Sequence, residues 1–411
     1  MFDKNYILPH KALSLILSSF ETPAPSIHEL KIEECYGRVL AEDIIASEDL
    51  PGFARSTVDG YAVRSADTFG AKDTMPAYLA IKAEVFMGQP VSFEIAKGES
   101  AKIPTGGMLP KGADAVLMLE NAQTVSGDMI EAMKAVAPNE NVILAGEDIR
   151  NGTQILSKGR RLRAQDIGAL AGLGITAVKV YRKPSVAIIS TGDEIVPASS
   201  SLGPGQVRDI NSFTLAGLIQ DNGGVAVKKG IIRDEYSLIK QALASALETS
   251  DMVLVSGGTS AGVKDMTAEI INGMGSPGVL FHGVAVKPGK PVIGALIGNK
   301  PVIGLPGHPA ATAVSFDIFI KPLLDALCGL AAGKMPGNFV NAKMKKSIAS
   351  VAGREDHVRV SLEVDGMELY AVPVLGKSGL ITTLVKADGV VVVTGGKLGI
   401  DAGEDVIVKL F

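Results

Sequence analysis

Between Pro184 and about Leu330, glycine-bearing loops carry most of the side chains in this chain that suit chemistry on a charged ligand. In order they are Ser190-Thr191-Gly192-Asp193-Glu194, Arg233-Asp234-Glu235, Ser256-Gly257-Gly258-Thr259-Ser260-Ala261-Gly262 and Pro306-Gly307-His308-Pro309. A further segment, Val286-Lys287-Pro288-Gly289-Lys290-Pro291, adds two lysines. The serine- and glycine-rich turn lets bare backbone N–H groups come close to an anion, because glycine has no Cβ and tolerates positive φ. Lys287 and Lys290 supply charge of the kind that neutralises phosphate oxygens. Asp193, Glu194, Asp234 and Asp265 would repel the same anion unless a divalent cation stood between them and it. These residue types point to a phosphorylated small ligand held together with Mg2+ or a similar hard ion.

Such residues need elements that bring them together. Each loop follows a short apolar run, Val186 to Ile189, Gly230 to Ile232, Met252 to Val255 and Val302 to Leu305, alternating with helical patterns at Tyr236 to Leu247 and Ala310 to Leu327. That alternation predicts buried parallel strands of a doubly wound α/β domain, whose ligands bind beyond the carboxyl ends of the strands. Plainer roles exist for each piece. The glycine turn serves as a strand-to-helix connection, Lys287 and Lys290 as a solvated hairpin tip, and Asp193 as a capping acid. Recurrence of polar loops in one α/β pattern favours the ligand site. Asp209, Asn211 and Ser212, ahead of Leu215, Leu218 and Ile219, read as helix-cap chemistry.

Elsewhere the pattern changes. Leu13, Ile16, Leu17 and Phe20 stand at i, i+3, i+4 and i+7 and predict an amphipathic helix ended by Thr22-Pro23-Ala24-Pro25. Asp3, His10 and Lys11 interrupt what would otherwise resemble a signal-peptide core. Leu79 to Phe86, Glu99 to Ile103 and Ala115 to Leu119 predict strands of a small β-rich unit, and Ala164 to about Leu173 a helix. Asp59-Gly60 and Thr105-Gly106-Gly107 read as turns. After a linker at Leu330 to Gly333, short strands at His357 to Val364, Leu369 to Val374 and Val390 to Val393 fit a small β-barrel.

The loops, in their order, closely resemble the molybdopterin molybdenumtransferases, the MoeA type and the E domain of gephyrin. The likeness extends to Pro51-Gly52-Phe53-Ala54-Arg55-Ser56-Thr57-Val58-Asp59-Gly60-Tyr61-Ala62-Val63 and to Thr105-Gly106-Gly107 through Gly112-Ala113-Asp114-Ala115-Val116. It continues more weakly through Gly353-Arg354 and Lys377-Ser378-Gly379, so that essentially the whole chain is covered. The resemblance implies an elongated mixed domain at 1–50 and 141–183, with a β-rich domain at 51–140 spliced into it. It also implies an α/β domain of the molybdopterin-binding, MogA-like type at 184–330 and a C-terminal β-barrel at 334–411. It implies insertion of molybdate into adenylylated molybdopterin, with hydrolysis that releases AMP and molybdenum cofactor. Glu194, Asp234 and Asp265 would hold the cation. Asp193, Gly257, Gly258, Ser260, Lys287, Lys290, Pro306, His308, Pro309 and Ser378 would bind substrate. Asp59 and Thr105 would reach the central domain of a second subunit, giving a homodimer with shared sites, and a molybdopterin adenylyltransferase and molybdoenzymes are the implied partners. Relatives often have Asn where His308 stands and Val-Ser where Ala310-Ala311 stand, and at His308 hydrogen bonding is favoured over metal ligation. His357 stands at a commonly aromatic position.

Composition is compatible with this reading. A chain of 411 residues implies several domains. Lys+Arg 40 against Asp+Glu 44, with no tryptophan, gives no footprint for nucleic acid. Cys35 and Cys328 are too few for a disulfide framework or a thiolate metal site and predict reduced thiols in a cytoplasmic protein. No apolar run approaches the ~20 residues of a membrane helix. Rival functions are a molybdopterin adenylyltransferase, a non-catalytic pterin-binding scaffold and a tungstate-directed insertase.

Overall fold

The computed structural model describes residues 6–257, 263–331 and 338–411. Its centre is a six-stranded sheet built from β1 (Ser185–Thr191), β2 (Val225–Ile232), β3 (Met252–Gly257), β4 (Pro277–His282), β5 (Ile293–Ile297) and β6 (Lys300–Leu305), in the order β2-β1-β3-β6-β5-β4. The first four strands of that order run parallel. These are the four strands that the sequence predicts to be parallel; of the two further strands, β5 runs antiparallel to both β6 and β4 and makes the sheet mixed at one edge. The cause is local: Gly298, at φ +59°, opens a two-residue hairpin between Ile297 and Lys300.

Residues of β1 show why a continuous apolar run forms this strand. Val186 and Ile188 face one core with Leu215, Ile219, Phe316 and Phe319, while Ala187 and Ile189 face another with Ile239, Leu243 and Ile270. A strand buried on both faces needs apolar residues at every position. Helices α1 (Asn211–Asp221), α2 (Tyr236–Thr249) and α3 (Val263–Asn272) cover the two faces. The predicted long helix from Ala310 is three pieces, Pro309–Ser315, a π-helical Phe316–Ile320 and Lys321–Leu327.

The amino-terminal helix, Pro9–Ser19, packs on the first of these cores through Ala12 and Ile16, followed by Phe20. Its buried stripe therefore runs i, i+4, i+8 and leaves Leu17, 36% exposed, outside it. A separate core gathers Ile32, Leu40 and Ile44 with Leu156, Leu162, Leu170 and Val178. Here Ile27–Lys31 pairs antiparallel with Ala177–Tyr181, and Ala46 N–H donates to the Thr153 carbonyl at 2.9 Å, closing the point where the chain leaves and returns. Between those residues lies a six-stranded sheet over Gly60–Val63, Lys72–Glu84, Glu99–Ile103, Ala115–Met118, Ala122–Ser126 and Met129–Lys134. Its last hairpin went unread because Ala122–Ser126 is largely exposed and carries little apolar signal.

In the C-terminal unit, Glu355–Asp365 pairs with both Glu368–Pro373 and Gly389–Val393. With Phe339–Met344 and Asp405–Leu410 this closes a five-stranded barrel, as the sequence predicts. Val286–Lys287, from the central domain, pairs in parallel with Glu355–Asp356 and so lengthens the barrel's sheet.

The helix Ala164–Gly172 starts on a buried acid. Asp166, 4% exposed, accepts from the Arg163 backbone N–H at 2.9 Å and from the guanidinium groups of Arg160 and Arg163. Burial opposes its ionisation, but the hydrogen bonds from Arg160 and Arg163 win and hold its carboxyl well below the usual range. A depressed folded-state pKa gives stability that is present above the unfolded value, near 4, and is lost as pH falls toward the folded one. Asp166→Asn is expected to lower unfolding free energy by about 1–3 kcal/mol at pH 7. In urea titrations the difference from wild type should shrink steadily below about pH 4.

Candidate functional site

The carboxyl ends of β1, β2, β3 and β6 open into a cleft of about 1230 Å³ whose far wall is the C-terminal barrel. Glu194, Asp234, Gly257, Lys287, Lys290, Pro306, His308, Pro309 and Ser378 all line it. Residues scattered over nearly two hundred positions thus converge. Gly258 and Ser260, and the side chain of Asp265, lie outside the described residues.

Acids gather on one side. Asp193 does not line the cleft, but its Oδ1 accepts from the Asp234 backbone N–H at 3.4 Å. Asp234 itself is half-buried, and its Oδ1 is enclosed without a hydrogen-bond partner among the described residues. Burial, then the charges of Asp193 and Glu194, push its carboxyl pKa up. A cation beside these acids would reverse both effects, so the donor set and the orphaned oxygen fit a hard divalent ion. Among the described residues no group of three His, Cys, Asp or Glu side chains is arranged to hold a metal.

Gly257 ends β3 at φ +105°, and a Cβ there would stand 2.0 Å from the Thr191 carbonyl oxygen. No other residue fits without moving a strand. The roles proposed for Asp209, Asn211 and Ser212 at the start of α1 divide. Asp209 does cap the helix, accepting from Ser212 N–H at 3.1 Å, and also takes the Ser190 hydroxyl at 2.9 Å. Asn211 is no cap: its Nδ2 donates to Ser256 Oγ at 2.8 Å and to the Gly307 carbonyl at 2.9 Å, tying the carboxyl end of β3 to the loop after β6.

Cations and hydrogen-bond donors form the opposite wall. Lys287 Nζ lies 3.7 Å from Asp356, and Lys290 Nζ sits 4.1 Å over the Tyr6 ring. His308 Nδ1 is 2.8 Å from Ser378 Oγ, and Ala310 N–H donates to the Ser378 carbonyl at 3.1 Å, so the imidazole hydrogen-bonds across the two domains, the role favoured for it over metal ligation. His357, half-buried, also lines the cleft, with Glu355 3.6 Å from its Nε2.

Sequence reasoning missed Arg359 and Asp356. Arg359 is 7% exposed on the cleft wall, donates to the Gly376 carbonyl at 3.2 Å and keeps a buried Nε without a partner. Burial draws its pKa down. Arg359 falls between the core residues Val358 and Val360, at an outward position of the strand where a charge is ordinary, so its local sequence does not mark it.

Asp59 and Thr105 stand together but elsewhere. Thr105 donates its backbone N–H at 2.7 Å and its hydroxyl at 3.0 Å to Asp59 Oδ1, and the pair is exposed on the inserted domain, outside the cleft of its own chain. The Thr105 backbone and then side-chain bonds pull the Asp59 pKa down. Gly60 does not form a hairpin tip; it opens Gly60–Val63, flanked by strands on both sides.

Fold and cleft together define a multidomain protein whose ligand cleft lies between a central α/β domain and a C-terminal β-barrel. Family models match the MoeA N-terminal region (domain I and II) at residues 7–174, a probable molybdopterin binding domain at 187–326 and the MoeA C-terminal region (domain IV) at 341–411. A molybdopterin biosynthesis protein of Methanocaldococcus jannaschii is 37% identical over 96% of this chain and 94% of its own. The molybdopterin molybdenumtransferase of Haemophilus influenzae is 32% identical over 95% and 96%. The crystal structure of a molybdopterin biosynthesis MoeA protein from Pyrococcus horikoshii is 31% identical, covers 99% of this chain and 100% of its own, and superposes with a TM-score of 0.86. The chain belongs to the MoeA family of molybdopterin molybdenumtransferases, transferases of molybdenum cofactor biosynthesis.

A buried guanidinium with no carboxylate beside it costs stability unless a ligand supplies the charge. Arg359→Met is expected to leave the melting temperature unchanged or higher while weakening binding of inorganic molybdate about tenfold, measured by equilibrium dialysis. A lowered melting temperature with unaltered molybdate binding would mean that Arg359 serves packing alone.

Proposed function

We propose that this chain inserts molybdate into adenylylated molybdopterin and hydrolyses the phosphoanhydride, releasing AMP and molybdenum cofactor. The observation that carries the reading is the charge layout of one cleft. Acids at the ends of β1 and β2 face a wall bearing Lys287, Lys290, Arg354 and Arg359. A phosphoanhydride with a hard cation suits both sides at once, because the cation meets the acids and the phosphate oxygens meet the basic wall.

Mg2+ or another divalent ion would be held by Glu194 and Asp234, with Asp265 as the acid the family resemblance adds. When bound it would supply the charge that polarises the anhydride. The rest falls to the chain. Lys287 and Lys290 bind phosphate oxygens, and the backbone at Gly257 offers an N–H group to the same anion, with Gly258 and Ser260 as the binding residues that the family resemblance adds. Arg359 donates to the oxyanion from a desolvated position, where its hydrogen bonds are stronger than in water. His308 orients Ser378 toward the cleft. Asp59 and Thr105 complete the cleft of a second copy in a homodimer. Their exposure away from their own cleft supports this, as does the pairing that pulls the Asp59 pKa down.

With adenylylated molybdopterin, molybdate and Mg2+, Asp234→Asn is expected to cut AMP release about a hundredfold or more while circular dichroism stays native. AMP release at the wild-type rate would remove the metal-binding role of Asp234. Running the assay with tungstate in place of molybdate reads the oxyanion preference. Mixing Asp59→Ala chains with Asp234→Ala chains is expected to restore about a quarter of wild-type activity after subunit exchange, since half the dimers then own one intact site. Absence of any rescue, with exchange confirmed, argues against a shared cleft.

A further inference from the structure

The basic wall of the cleft contains a carboxylate, which should weaken binding of any anion unless it does something else. Asp356 is 4% exposed, and both of its oxygens are engaged. Oδ1 meets Arg354 Nε at 2.5 Å, while Oδ2 meets Arg354 Nη2 at 3.1 Å and Lys287 Nζ at 3.7 Å. Lys287 and Asp356 are direct Cα partners in the parallel pairing of the two domains, and Glu355 N–H donates to the Ala285 carbonyl at 2.9 Å beside them. Register thus places both side chains on one face of the joint. The Lys287 ammonium, 61% exposed, remains open to the cleft.

From this geometry we infer that Asp356 is a positioning residue: it holds Lys287 and Arg354 side by side on the cleft wall as a two-cation clamp for a phosphate-bearing ligand. Two cations this close repel each other. The carboxylate between them cancels one charge, leaves a single net positive charge, and fixes a flexible lysine stem that would otherwise sample many rotamers. At 3.7 Å the contact is an ion pair rather than a hydrogen bond, so the three N–H donors of Lys287 stay available to the ligand. Both Asp356 oxygens face cations, so its charge repels the ligand less than an unpaired acid would. The inference deepens the proposed function and rests on it only for the identity of the ligand.

Inorganic pyrophosphate is the probe, with binding followed by calorimetry on the full chain. Asp356→Asn is expected to weaken pyrophosphate binding about tenfold, although it makes the wall more positive, and Asp356→Glu to recover most of the loss. In a Lys287→Met background the same Asp356→Asn change should alter affinity by less than about twofold, because the group it acts through is gone. Acetic anhydride labelling of Lys287, read by mass spectrometry against Lys377 in the same molecule, should rise about threefold in Asp356→Asn. Tighter or unchanged pyrophosphate binding, a full effect persisting without Lys287, or unaltered labelling would each overturn the role. Wild-type protein that binds no pyrophosphate overturns it as well. Protein that binds pyrophosphate and shows the expected cycle, yet releases no AMP from adenylylated molybdopterin, would sink the proposed function and leave the clamp standing.

Discussion

The cleft depends on a short piece of backbone ladder. Val286–Lys287 belongs to the central domain by sequence, yet it pairs with Glu355–Asp356 of the barrel. The ladder turns two separately cored units into one continuous wall and fixes how far the lysine segment stands from the carboxyl ends of β1 and β2. A second fastening lies at His308 and Ser378. With two attachments across the cleft, its width follows from backbone register and a defined hydrogen-bond pair.

That rigidity matters because the site sets like charges close together. Asp193, Glu194 and Asp234 crowd one side, and Asp234 shows the effect in its raised pKa and enclosed, unpartnered oxygen. On the other side Arg359 is desolvated with no acid beside it among the described residues. Each half is unfavourable alone and becomes favourable when a ligand of alternating charge bridges them. The protein spends folding stability to keep the halves apart and ready.

Much of this was legible in the chain. Val186 to Ile189 had to be a strand buried on both faces, and the loops beyond such strands had to share one edge of the sheet, which is why Glu194, Asp234, Gly257 and His308 meet as expected. Only motif likeness singles out Asp59 and Thr105, whose local pattern reads as ordinary turns. Single residues inside regular elements were harder. Asn211 looks like a cap because its neighbours Asp209 and Ser212 are one, and its real partners, Ser256 and Gly307, lie 45 and 96 residues away. Asp356 and Arg359 sit in a barrel strand whose alternation gives no hint that one face meets another domain. The antiparallel edge of the central sheet turned on one two-residue hairpin, too short to alter the apolar pattern of the strands it joins.

The amino-terminal helix has a mechanical consequence. Ala12 and Ile16 lock it onto the central core, and the chain re-enters that core through Tyr181 and β1. The chain between them is therefore anchored at both ends, with Arg161 bonded to the Asn222 carbonyl at 3.0 Å as an additional brace. A module hung from a single linker would swivel; one pinned at two points behaves as a cantilever. The inserted sheet at its end carries Asp59 and Thr105 at a set reach and heading, like the tip of a caliper jaw.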